Sequence, residues 1–152
     1  MTDGTYMASV YRLEAVAFQD SARRLNESFE AEGKSLEGNR TALPFYFLIS
    51  HAAELFLKAA LFKRGFTEGD LKKHGTRHSL SALLVELQNK GLSVSPETVQ
   101  ILSGLNAQHE NHALRYTAFV DDGQKTYMPP PSAVFGMLDE LLLLTRISTQ
   151  GV

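Results

Sequence analysis

From Pro44 to Gly65 the chain reads PFYFLISHAAELFLKAALFKRG, and this stretch limits the possible folds more than any other. Phe45, Phe47, Leu48, Ile49, Ala52, Ala53, Leu55, Phe56, Leu57, Ala59, Leu61 and Phe62 surround the whole helical circumference rather than one arc. A helix that is apolar all round is buried, in a protein core or in a membrane. His51, Glu54 and Lys58 interrupt the run, and an ionisable group at the bilayer centre costs about 2.5–3.5 kcal/mol even on the lenient scale. The segment therefore predicts the buried central helix of an all-α domain. Pro44 suits the first turn, where its missing N–H is not needed. Gly65, after Lys63 and Arg64, supplies the stop: cations complement the carboxyl end of the helix dipole and Gly accepts the left-handed cap.

The remaining 3.6-residue periodicities surround that helix. A first amphipathic helix is expected over about Tyr6–Ala31, with Val10, Leu13, Ala17, Phe18, Ala22, Leu25 and Phe29 inward and Arg12, Arg23 and Arg24 solvated. A Gly-punctuated loop follows. After the central helix comes a polar connector, Phe66–His78, whose Lys72, Lys73, His74, Arg77 and His78 form the one dense basic cluster in the chain. Ser79–Lys90 reads as a short helix with Leu80, Leu83, Leu84 and Leu87 inward, closed by Gly91. Ser95, Pro96 and Glu97 open a fourth helix, carried inward by Val99, Leu102 and Leu105 to about Ala113. Arg115–Met128 has β-branched and aromatic residues around Asp122-Gly123 and reads as a short hairpin or irregular loop. Ser132 is expected to cap the last helix, with Val134, Leu138, Leu141 and Leu142 inward to about Ile147. The expectation is one domain over residues 5–148, a five-helix up-and-down bundle. Apolar surface left over on the Leu-rich later helices points to a homodimer.

Composition excludes several chemistries. With 152 residues and a formal net charge of −2, the chain can bury a real core but is no general polycation, so nucleic-acid contact needs a local basic patch. Cys is absent, which removes thiol nucleophiles, disulfides and cysteine metal sites and fits a cytoplasmic protein. The N-terminus lacks a basic segment followed by an apolar stretch, so no secretory signal is expected. No glycine-rich phosphate loop or nucleophile elbow is present.

Two constellations carry candidate chemistry. Spacings of three and four put His51, Glu54 and Lys58 on one stripe of the central helix, and Glu54 before Lys58 is the favoured order for a helical ion pair. The stripe is either a solvated seam or a polar line facing a groove or a partner subunit. The second lies in NAQHENHALRY. If the fourth helix continues, His109, His112 and Arg115 stand one turn apart, with Asn111 and Tyr116 beside them. Imidazole moves protons near neutral pH and guanidinium grips phosphate, a pair suited to metal-free phosphodiester cleavage. A wet helix end, with His and Arg complementing the dipole, uses the same residues. No third ligand accompanies His109 and His112, so neither metal nor other cofactor is expected.

HAAELFLKAALFKRG (His51–Gly65), the basic connector, RHSLSALL (Arg77–Leu84) and LRY (Leu114–Tyr116) together resemble the HEPN domain superfamily, over roughly Val10–Ile147. The matching positions are Glu54, Lys58, His78, Arg115 and Tyr116. The resemblance implies a four- or five-helix bundle, commonly dimeric, working near RNA or nucleotides. Members include metal-independent endoribonucleases, toxins paired with a separate nucleotidyltransferase antitoxin, and non-catalytic binding modules. The ribonuclease members carry an Arg followed four to six residues later by His, and this sequence has no His after Arg115. The resemblance therefore implies a non-catalytic domain that binds RNA, a nucleotide or a partner protein. The alternative is a metal-independent ribonuclease, with or without a toxin role, using His109 or His112 with Arg115 and completed by His78.

Overall fold

A computed structural model describes residues 3–34, 42–73, 75–110 and 127–146. All regular elements among the described residues are helical: α1 Asp3–Ala31, α2 Ala42–Phe62, α3 Glu68–Lys73, α4 Leu80–Asn89, α5 Pro96–Glu110 and α6 Pro131–Arg146. The all-α expectation holds, with six described helices where five were expected. The extra one, α3, forms inside the polar connector. Asp70 accepts hydrogen bonds from Thr67 N (2.8 Å) and Thr67 Oγ1 (3.0 Å), and Thr67 Oγ1 accepts one from Asp70 N, so a reciprocal capping pair starts the turn. Leu71 then buries as its anchor. The hairpin or loop expected over Arg115–Met128 lies outside the described residues up to position 126.

α2 is the centre of the fold. It packs on α1, α4, α5 and α6, and Phe45, Ile49, Phe56, Leu57 and Leu61 are each inaccessible. By length and hydropathy alone it is long and apolar enough to cross a membrane, but 83% of that apolar window is buried inside the domain, which accounts for its hydrophobicity. Its end is a Schellman closure: Phe66 N–H donates to Leu61 O (3.1 Å) and Gly65 N–H to Phe62 O (3.1 Å), with Gly65 at φ 88°. Gly91 ends α4 in the same way.

α1 lies along α2 by the face that carries the expected Phe18, Ala22, Leu25 and Phe29, but toward its N-terminus Ala8 and Ala15 turn inward in place of Leu13 and Ala17. Ala8, Ala15, Ala22 and Phe29, spaced by seven, are buried, and Tyr11, Phe18 and Leu25 flank them. This is a coiled-coil-like seam whose small residues allow close approach. Leu13 is 69% exposed and Ala17 is exposed, so those expected inward positions face out. Of the three arginines expected to be solvated, Arg23 stacks over Phe135 at 4.5 Å and pairs with Asp139 at 3.2 Å, tying α1 to α6 beside the part-buried Gln19–Asp139 hydrogen bond (2.9 Å).

The later helices follow their sequence signals closely. Ser79 caps α4 by accepting from Ala82 N (3.1 Å), and Leu80, Leu83, Leu84 and Leu87 are buried. Ser95 caps α5, accepting from Thr98 N (3.3 Å). Glu140 of α6 lies against the same helix start, accepting from Ser95 N (2.5 Å), Ser95 Oγ (2.8 Å) and Thr98 Oγ1 (2.7 Å). Burial alone would raise the Glu140 pKa, but the hydrogen bonds from Thr98 and Ser95 outweigh it and hold the carboxylate low. A carboxylate at a helix N-terminus also faces the positive end of the dipole. α6 starts at Pro131, so Ser132 lies inside the first turn rather than capping it. The carbonyl of Pro130 accepts from Ala133 N and Val134 N. Pro131 fits the first position because the missing N–H is not needed there.

Segment 127–130 is fastened to the bundle. Tyr127 and Gln108 exchange two hydrogen bonds (2.8 and 3.2 Å), and buried Tyr46 donates to Pro129 O (2.6 Å). The Tyr127 ring lies so close to Gly104 that a Cβ there would meet Cε1 at 2.3 Å, which explains a glycine inside α5.

Candidate functional site

The polar stripe of α2 points into the protein. Glu54 is 1% exposed and Lys58 6%, so neither belongs to a solvated seam. An isolated charge at such a depth is prohibitive, and the fold surrounds this one with partners. Lys58 Nζ lies 2.6 Å from Glu54 Oε1, His109 Nε2 2.5 Å from Oε2, and His78 Nδ1 3.2 Å from Oε1. One carboxylate from α2 thus joins its own helix, the last turn of α5 and the turn before α4. An ionised carboxylate only accepts hydrogen bonds, which places a proton on His109 Nε2 and on His78 Nδ1. Burial alone would raise the Glu54 pKa. The His109 hydrogen bond and the Lys58 ammonium outweigh it and bring the carboxyl down to about 2. On the other side of Lys58 lies the Tyr11 ring, its centroid 5.9 Å from Nζ. Burial, then a hydrogen bond to Glu68, raises the Tyr11 pKa, keeping the phenol a donor to the start of α3.

These contacts divide the candidate residues by depth. His109 is 3% exposed and is committed to Glu54. His78, with 44% of its side chain exposed, spans from the buried carboxylate to the surface. There it lines a cleft of about 440 Å³ together with Lys72, Arg77, Ser79 and Glu110. The cleft lies at the N-terminus of α4, where the helix dipole adds positive potential. Asn106 holds one rim. Its Oδ1 accepts from Ser81 N (3.3 Å) and Ser79 Oγ (3.4 Å) while its Nδ2 donates to Glu110 Oε2 (3.1 Å). Two cations and an imidazole with a fixed orientation are thus gathered on one concave surface.

His51, placed on the Glu54 stripe by spacing, packs among rings. Phe18 of α1 meets it edge-on at 4.5 Å and Phe47 stacks at 5.7 Å. Asn111, His112, Arg115 and Tyr116 lie outside the described residues, so the structure brings together Glu54, Lys58, His78 and His109 of the candidates. No group of three or more metal-ligating side chains suited to an ion occurs among the described residues. Sequence reasoning passed over Tyr11 and Glu68, whose roles depend on α1 and α3 meeting over Lys58. It noted Lys72 and Arg77 only as a charge run. The signal that could have promoted them was their position immediately before an N-capped helix, where basic side chains and dipole add.

Comparison with protein-family models, with curated proteins and with solved structures finds no match to this chain.

Proposed function

We propose that the chain is a non-catalytic HEPN-like binding domain that takes a phosphate-bearing ligand, a nucleotide or a single strand of RNA, in the cleft at the start of α4. The observation that carries this reading is Lys72 and Arg77 beside His78, with the imidazole anchored from behind by Glu54. Guanidinium and ammonium groups neutralise phosphate, and an anchored ring loses little freedom on binding. The depth of His109 favours binding over cleavage, because a proton carrier for a substrate has to reach it.

The test is fluorescence anisotropy with a labelled mixed-sequence single-stranded RNA across a salt series. Lys72→Ala combined with Arg77→Ala is expected to weaken binding by about tenfold or more and to lower the salt slope by about 1–1.5, two phosphate contacts' worth. Wild-type protein that fails to bind at low salt, or a double variant that binds equally well, overturns the reading. RNA should also stay intact in excess EDTA; cleavage at catalytic protein levels would favour the metal-independent ribonuclease instead.

The same reading includes self-association. Tyr6, Val10, Leu13 and Ala17 recur at helical spacing on the outer side of α1, with Tyr6 58% and Leu13 69% exposed. A second copy would cover this stripe. Sedimentation at micromolar concentration is expected to give a dimer in the wild type and a monomer for Leu13→Glu; identical sedimentation of the two removes the stripe as the interface.

A further inference from the structure

Away from the cleft, a cavity of about 190 Å³ opens between α1, the end of α2 and the end of α6. Its charged lining among the described residues is Arg12 and Lys63, with Thr5, Ser9 and Thr145 beside them and no carboxylate. Arg12 Nε is buried and has no hydrogen-bond partner among the described residues. Lys63 Nζ donates to the Thr145 carbonyl at 2.8 Å, in the last turn of α6, and an ammonium has two more protons to give. Burial, then the neighbouring charges of Arg64 and Arg12, lowers the Lys63 pKa, as expected for cations gathered without a counter-charge. Arg64 turns back on its own helix, donating to Ala60 O (2.9 Å).

Two other cations among the described residues do meet a carboxylate. Lys58 has a carboxylate at 2.6 Å, and Arg23 has Asp139 at 3.2 Å and an aromatic face. At Arg12 and Lys63 the protein supplies two cations, an unused guanidinium N–H and a half-open cavity, with no carboxylate lining it among the described residues. We infer that this cavity is a binding site for a single small oxyanion of phosphate or sulfate type, held between the Arg12 guanidinium and the Lys63 ammonium. Its volume is below the about 300–1,000 Å³ of clefts that enclose drug-sized ligands, which suits one phosphoryl-sized group rather than a whole nucleotide. Guanidinium binds such an oxyanion with two parallel N–H donors, and the adjacent ammonium provides a point charge.

The test is titration of the intact protein with inorganic phosphate at constant ionic strength, read by calorimetry and by the melting temperature, with chloride as reference. Phosphate strengthens burial non-specifically in any protein, so the readout is the difference between variants. Wild type is expected to bind phosphate, and Arg12→Gln to bind it at least tenfold more weakly and to lose the extra rise in melting temperature. In the Lys72→Ala/Arg77→Ala background, which removes the cleft cations, the part of the phosphate response that depends on Arg12 is expected to persist, and this separates the cavity from the cleft. Ser9→Glu, which places a carboxylate at the mouth, is expected to raise the melting temperature without phosphate and to abolish the phosphate response, giving a second reading if Arg12→Gln folds poorly. Equal responses of wild type, Arg12→Gln and Ser9→Glu, a phosphate effect no larger than that of chloride, or a loss confined to the Lys72/Arg77 variant would each overturn the assignment.

Discussion

Glu54→Ala is expected to destabilise the domain by about 3–5 kcal/mol, the cost of breaking a buried ion pair by removing one member. The carboxylate lies 2.6 Å from Lys58 Nζ and 2.5 Å from His109 Nε2, and all three residues are under a tenth exposed. Truncation leaves an ammonium that is 6% exposed in the intact protein without its carboxylate, with the Tyr11 ring 5.9 Å away, and an imidazole N–H that has lost its acceptor. For a chain of this length the loss corresponds to a fall in melting temperature of about 6–20 °C. Urea denaturation followed by circular dichroism measures it, and a change below about 1 kcal/mol would mean that water or another group takes the place of the carboxylate. The double variant Glu54→Leu/Lys58→Met separates charge from packing. It removes both charges and keeps apolar volume, so it should recover at least half of the loss, the remainder being the unmet hydrogen bond of His109. A double variant no better than Glu54→Ala would show that His109, not Lys58, dominates the cost.

Much of this fold could be read from the chain because local signals and tertiary packing agree. Ser79 and Ser95 as caps, Gly65 and Gly91 as stops, and the leucines of α4 are fixed by interactions within a few residues of each other. The N-terminal half of α1 departs from expectation at Leu13 and Ala17 because apolar periodicity gives weight to large side chains. Its two stripes compete, and Leu13 looks like a better core residue than Ala8 or Ala15. Close packing on α2 reverses the order, since alanine lets the backbones approach and leucine does not. The stripe of Glu54 and Lys58 was legible as a stripe, yet its direction was not. Spacing within α2 shows that the two side chains meet, whereas the inward turn depends on His109, which is 55 positions further along the chain. No helical pattern links residues so far apart. The basic run before α4 likewise becomes a concave surface only when Asn106 of α5 closes against Ser79 and Ser81.

The Glu54 network also sets how the protein responds to acid. The carboxyl titrates near its ordinary value of 4.5 in the unfolded chain and at about 2 in the folded one. A folded pKa below the unfolded one means that the unfolded state binds the proton more readily as pH falls. The stabilisation is therefore complete above about pH 4.5 and is lost as pH drops toward 2. Integrated over the shift, the loss amounts to about 3 kcal/mol, and Glu140, whose pKa is lowered in the same sense, adds to it. Net acid sensitivity alone does not identify Glu54, because every carboxylate held low in the fold contributes. The gap between wild type and Glu54→Ala does, since the variant has no carboxyl to protonate at this position. That gap is expected to be widest at pH 7 and to narrow by about 2.5 kcal/mol by pH 2.5, where the unfolded chain has taken up the proton that the folded carboxyl still resists. Urea unfolding of both proteins at half-unit steps between pH 7 and pH 2.5 measures it. A gap that stays constant across the range would mean that Glu54 holds its neighbours by shape and hydrogen bonding alone, and that the charge on the carboxylate adds nothing to the fold.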